Sequence, residues 1–303
     1  MSTMVAATSA RQAQLHSATP SFPGILRGEI FKVSRQWTTW IMLVFLTGIL
    51  ILPYLIMLIA PNAKASLAAA PLPFLTDQVE TNLAVLRVFS GFFLLILTAR
   101  VIGLEYQLGT IRILLARGVG RLQLFSAKLL AIVTFALLIL IGGLLLDALL
   151  TVVMVAILAG NLNALNALNT TFWSNTWLYI VTIMISMGAT ILLGAAMNAI
   201  GRSQVFGLSA SLVWFPADNI GTVIMTLAYR VTHNTFWQNV TGYFLGPILN
   251  NMPNYLLPKG GLTIGAFPLV TISNTQGLLV TAAYCVIFAA VAVILTWKRD
   301  VQE

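Results

Sequence analysis

Charge is what this chain has least of. Only 8% of its 303 residues are Asp, Glu, Lys or Arg, against about a quarter in an ordinary soluble domain. So few charges cannot cover a globule of this size with polar surface, which excludes a water-soluble fold. Acidic residues are the scarcer sign: eight, against sixteen Lys and Arg. No two of them stand in a recognisable catalytic spacing, which argues against an enzyme built on paired carboxylates. Histidine occurs only at His16 and His233, and cysteine only at Cys285. A metal centre therefore has almost no ligands to draw on, and an intrachain disulfide is impossible. The phosphate-binding pattern G-x-x-x-x-G-K-[ST] does not occur in the sequence, so the chain is not expected to bind ATP by that route. No catalytic, cofactor-binding or metal-binding residue is expected.

What fills the space is apolar. Hydrophobic residues make up 59% of the chain, in six runs that each reach the roughly 20 residues needed to cross a bilayer core. The expected spans are about Trp40 to Ala60, Leu83 to Gly103, Leu129 to Ala159, Trp177 to Ile200, Val205 to Tyr229 and Gly277 to Trp297. The third is long enough to tilt or project. The fifth is interrupted by Pro216-Ala217-Asp218-Asn219, which predicts a kinked span or two half-helices, with Asp218 capping a broken helix. The first starts too late for an ordinary cleaved signal peptide and reads as a retained anchor.

The basic residues set the orientation. With both termini inside, the inner side carries Arg11, Arg27, Lys32, Arg35, Arg100, Arg112, Arg117, Arg121, Lys128, Arg202, Lys298 and Arg299; the outer side carries Lys64, Arg87, Arg230 and Lys259. The net charge of +8 thus sits at the ends of apolar runs and predicts an N-in, C-in topology, not a nucleic-acid partner. Arg87 and Arg100 are expected to snorkel to the interfaces.

Between the spans, residues 1–21 read as a mobile tail, and residues 22–303 as a single six-span domain. Residues 22–39 predict an amphipathic interfacial helix, with Ile25, Leu26, Ile30 and Val33 on one side and Arg27, Lys32 and Arg35 on the other. The 61–82 loop, with Pro61, Pro71 and Pro73, is expected to be irregular. The apolar outer segment 230–276 is expected to form short helices. Gly188, Gly194 and Gly201 with Ala195 and Ala196 suggest close helix contact. Asp147, inside the third run, is expensive in a membrane. It can be protonated, hydrogen-bonded within the bundle or lining a path, and a structural role is favoured.

The stretch Glu105 to Lys128, EYQLGTIRILLARGVGRLQLFSAK, stands apart. Leu104, Leu108, Ile111 and Leu115 fall at helical spacing, and Arg112, Arg117, Arg121 and Lys128 are its basic residues. A segment of this kind can lie along the cytoplasmic face of a bilayer and be gripped by a soluble partner. The series Glu105, Gly109-Thr110, Arg112, Leu114-Leu115, Gly120-Arg121, Lys128 resembles the first cytoplasmic loop of type-2 ATP-binding-cassette (ABC) exporter permeases. Glu29 and Lys32, ahead of the first span, match that family's amphipathic leading helix. The departure is at Gly118-Val119-Gly120, where the family often has a proline and a serine or threonine; glycines there still break a helix.

The resemblance implies an all-α polytopic membrane protein with six transmembrane helices, N-in and C-in. It also implies an N-terminal interfacial helix and a cytoplasmic coupling helix. The implied partners are an ABC ATPase subunit, which holds ATP and Mg, a second permease half in a homo- or heterodimer, and membrane lipid. Glu105, Gly109, Thr110, Arg112, Arg117 and Arg121 are the implied ATPase-coupling residues. Gly109 would allow close backbone approach, Thr110 would cap the following helix, Arg112 and Arg121 would offer forked donors to the partner, and Glu105 would hold an arginine of its own chain. Asp147 is the pathway or interface candidate. The expected function is export of a lipophilic, peptide, drug or lipid-like substrate across a bacterial plasma membrane. The alternative is an ATP-independent secondary transporter or channel, which would place ionisable residues along its path; a membrane enzyme ranks third.

Overall fold

The structure is a computed structural model; it describes residues 21–116 and 118–298, and of Arg112 the backbone only. Arg117 and the tail expected over 1–21, Ser21 excepted, lie outside the described residues. Helix α1, Phe22–Ser34, begins where the Gly24 N–H donates to Ser21 Oγ at 3.4 Å and Pro23 stands in the first turn, whose N–H groups have no helical partner anyway. Helix α2, Trp37–Ile59, follows.

The loop expected to be irregular is helical instead. Helix α3 spans Ala63–Ala69 and α4 spans Pro71–Thr98. Pro71 and Pro73 fall in the first turn of α4, where proline's fixed φ and missing N–H suit a helix start. Helix α4 continues through a π-helical turn, Ala99–Gly103, into short α5, Leu104–Gln107. Next come α6, Thr110–Ala116, and α7, Arg121–Ala159, a helix of 39 residues. At 1.5 Å per residue α7 is about 58 Å long, roughly twice the hydrocarbon core. It takes in Arg121 and Lys128, so the last third of the basic stretch is the foot of a long helix.

A 3-10 turn, Asn163–Ala167, leads to α8, Thr170–Gly201, then α9, Gln204–Thr232. Three short helices follow, α10 Phe236–Thr241, α11 Leu245–Asn250 and α12 Met252–Leu256, before α13, Asn274–Lys298. No strand occurs among the described residues. Among the described residues five helices are long and apolar enough to cross a membrane: α2, α4 with its extension to Gln107, α7, α8 and α13. Helix α9, on the fifth expected span, is outside that group because Ser, Thr, Asp218 and Asn219 dilute its apolar surface. It is not broken at Pro216. Asp218 therefore caps no break in its own helix; its Oδ2 accepts the Gly246 N–H at 2.8 Å, in the first turn of α11.

Apolar burial does not by itself favour helix contact over lipid contact, so close approach and hydrogen bonds decide the packing. Helices α4 and α8 are the most buried, α2 and α13 the most exposed. A Cβ at Gly194 would lie 3.1 Å from Thr98 Cγ2, and Gly201 is covered by Phe206, whereas Gly188 faces open space. Leu245, Ile248 and Met252 insert the short helices against Leu193 of α8 and Phe288 of α13.

Several helix ends meet at one end of the bundle. The buried amide of Asn198 is wedged between Gly103 of the π turn and Gly207 of α9, which brings the end of α4, the end of α8 and the start of α9 together. Arg121 Nη1 donates to Trp297 O at 3.4 Å, which brings the end of α13 to the start of α7. Helix α9 carries the chain away from this end, and α13 returns it.

Candidate functional site

At that same end, three segments are tied by charge. Glu29 lies on the face of α1 that also carries Ile25, Leu26, Ile30 and Val33, so packing that face buries a carboxylate, 4% exposed. Its Oε1 accepts from Lys32 Nζ at 3.0 Å and its Oε2 from Lys128 Nζ, at the foot of α7, at 2.9 Å. Glu105 of α5 closes the figure. Its Oε1 accepts from Lys32, and its Oε2 makes an ion contact with Lys128 at 2.8 Å. Lys128 also donates to Val101 O at 3.0 Å. Two carboxylates and two ammonium groups thus alternate around a neutral ring, three of the four buried.

Burial of opposite charges is tolerated only when each finds partners, as here. Burial disfavours the Lys32 ammonium, but Glu105 and Glu29 outweigh it and raise its pKa above the ordinary 10.5. Beside the ring, Ile111, Val119 and Leu124 form an apolar cluster with Ile25, Tyr106 and Leu114. Helices α1, α5 and α7 are therefore joined twice, once by charge and once by packing, and α6 joins them through the packing alone.

Several expectations for the loop change. The stripe Leu104, Leu108, Ile111, Leu115 presumed one helix; Gly109, at φ 67°, splits it in two, leaving Leu108 64% exposed while Ile111 is buried. Gly109 supplies that left-handed backbone conformation, and no atom of this chain lies within 4 Å of where its Cβ would be. Thr110 is the first residue of α6, too far in to cap it, and its buried Oγ1 has no hydrogen-bond partner. Glu105 holds two lysines, Lys32 and Lys128. The Arg112 side chain and all of Arg117 lie outside the described residues. Arg121 reaches the Trp297 carbonyl. Gly118, at φ 84°, makes the turn that the glycines predicted.

Asp147 belongs to a separate cluster. It is 6% exposed, and its Oδ1 accepts from Tyr54 Oη at 2.6 Å and Asn82 Nδ2 at 2.8 Å. Thr151 Oγ1 lies 2.7 Å from Tyr54 Oη and donates to Asp147 O at 2.9 Å. These groups pin α2, α4 and α7 together. Arg87 does not snorkel. It lies well inside α4, 4% exposed, with Nη1 on Leu249 O at 2.7 Å and Nη2 on Asn250 O at 3.2 Å. Arg100 Nε donates to Gln36 Oε1 at 3.3 Å.

Glu29, Lys32 and Lys128 as one unit with Glu105 escaped sequence reasoning. The available signal was a lone acid on the apolar face of α1, with Lys32 at i+3. Among the described residues no three His, Cys, Asp or Glu side chains converge as a metal site would require. No family model and no curated protein matches the chain. Its fold and composition define a helical protein whose long apolar helices are compatible with a multi-pass membrane location.

Proposed function

We propose that the chain is the membrane-spanning half of an ATP-driven exporter of the type-2 ABC kind, in a bacterial plasma membrane with both chain ends cytoplasmic. The ring of Glu29, Lys32, Glu105 and Lys128 carries the reading. All four residues belong to the pattern on which the family resemblance rests; a force applied to α5 reaches α1 and α7 through them, and one applied to α6 reaches the same helices through the Ile111 cluster. The outward surface of this loop leaves Leu108 and Ile113 exposed, an apolar foothold for a partner. ATP and Mg sit on that partner, an ABC ATPase subunit; a second permease half and membrane lipid complete the assembly.

The orientation draws support from two observations. With the buried Arg87 and Lys128 both left out of the count, eleven inner basic residues face Lys64, Arg230 and Lys259 outside. Helix α9 has 29 residues, enough to cross, and a sixth crossing returns α13 to the end where α1 begins. The substrate class is lipophilic, peptide, drug or lipid-like.

A second reading, ion-coupled transport without ATP, has one observation in its favour: the buried carboxylate of Asp147 with neutral partners. Co-reconstitution with the ABC ATPase encoded nearest to this chain separates the two. The proposal expects ATP hydrolysis that depends on the chain, and solute efflux that depends on ATP. Efflux driven by an ion gradient alone would overturn it.

A further inference from the structure

Between α4, α8 and α9, under the segment that follows α12, lies a cavity of about 200 Å³. Its wall is mostly apolar, with Phe92, Leu95, Phe215 and Ile264 among its residues, and it carries Arg87 and Ser186. Arg87 spends two of its five donors on the carbonyls of Leu249 and Asn250, at the end of α11. Among the described residues no carboxylate lies within 4.0 Å of it. Ser186 Oγ is buried on the same wall and has no hydrogen-bond partner. The neighbouring polar groups are committed: Asn250 Nδ2 to Asn219 Oδ1 and Ala266 O, and Thr190 Oγ1 to Ser186 O.

A buried guanidinium without a counter-ion is costly, and so is a buried hydroxyl without a partner. An anionic head in the cavity that both residues line would offer acceptors to the remaining Arg87 donors and to the Ser186 hydroxyl through charge-assisted hydrogen bonds. We propose that this cavity binds the phosphate or carboxylate head of an amphiphile, with the first carbons of its chain against the apolar wall. The cavity is smaller than the roughly 300–1,000 Å³ of ordinary small-molecule pockets, so it takes a head group and not a whole lipid. If the chain is an exporter, this names its substrate or lipid class; the binding itself needs no ATPase, so either proposal can fail without the other.

The test uses the full chain in phosphatidylcholine nanodiscs, titrated calorimetrically with octyl phosphate, octanoate, octanol and inorganic phosphate. The two amphiphilic anions should bind saturably, one per chain, and at least about tenfold more tightly than octanol or free phosphate, for lack of a charge-assisted bond or of apolar contact. Ser186→Ala removes a hydroxyl that no protein group uses. It should weaken octyl phosphate about tenfold and leave the melting temperature unchanged. Arg87→Gln should abolish binding, and Leu149→Ala on the exposed side of α7 should do nothing. Doping the nanodisc with phosphatidic acid distinguishes the sources, and both results support the site: competition assigns it to a bilayer lipid, no competition to a solute. Octanol binding as tightly as octyl phosphate overturns the proposal. Unchanged affinity in Ser186→Ala does so too, even if Arg87→Gln fails to fold.

Discussion

At Lys128 the ammonium contacts both ring carboxylates and the Val101 carbonyl with 3% of the side chain exposed. Lys128→Ala leaves two buried carboxylates short of a partner, and should cost about 3–5 kcal/mol, read as a lowered melting temperature in detergent. Glu29→Gln combined with Lys128→Met should cost less than Lys128→Ala alone, because it removes one charge of each sign and leaves Glu105 paired with Lys32. A larger loss in the double variant would contradict the ring. The same logic bars Glu105→Ala as a clean probe of partner binding, since it would also disturb the fold. Lys32 adds a pH dependence whose sign follows from its raised pKa: its contribution is complete below the ordinary lysine value of 10.5 and is lost only as pH climbs beyond it. At Asp147, Asn keeps an acceptor for Tyr54 and Asn82, so Asp147→Asn should be mild. Asp147→Leu strips the acceptor from two buried donors and should cost about 1–3 kcal/mol per donor left unsatisfied. Wild-type stability of both variants would remove any role for the cluster.

Among the elements, the π turn and the loop helices respond differently to one added methyl group. A Cβ at Gly103 would lie 2.7 Å from the Gln204 backbone and collide with Asn198, where nothing can give. Gly103→Ala should therefore prevent α4, α8 and α9 from meeting, seen as loss of folded protein after membrane extraction. Gly109→Ala meets open space and only the strain of a left-handed backbone, about 1–2 kcal/mol, so it should fold. The apolar runs made most of the long helices legible, because burial in a bilayer demands uninterrupted apolar length. Their ends were less legible. Pro71 and Pro73 look like breakers unless the helix start is known. Pro216 suggested a break that α9 does not make. Arg87 read as an interface residue because the apolar run begins at Leu83, twelve residues beyond the start of α4 at Pro71. The ring was illegible for a different reason: its contacts join residues 73 and 99 apart, and no local pattern records which lysine meets which glutamate.

For the whole molecule, the orientation rests on α9 crossing the membrane as the sixth helix. With Cys285 replaced by Ser, single cysteines at the exposed positions Lys64, Asn166, His233 and Lys259 should react with an impermeant reagent from outside, and one at Leu108 only after permeabilisation. A cysteine at His233 that is silent from outside would leave α9 uncrossed and place the two ends on opposite sides. Whether an ATPase subunit grips this chain at the loop of α5 and α6 can be measured by crosslinking. A photo-crosslinking amino acid is placed at Leu108 or Ile113, with Lys259 at the opposite end as the comparison, in membranes that also contain the ATPase. A crosslink to the ATPase is expected from Leu108 and Ile113 and none from Lys259. No crosslink from either loop position, or an equal one from Lys259, would contradict it.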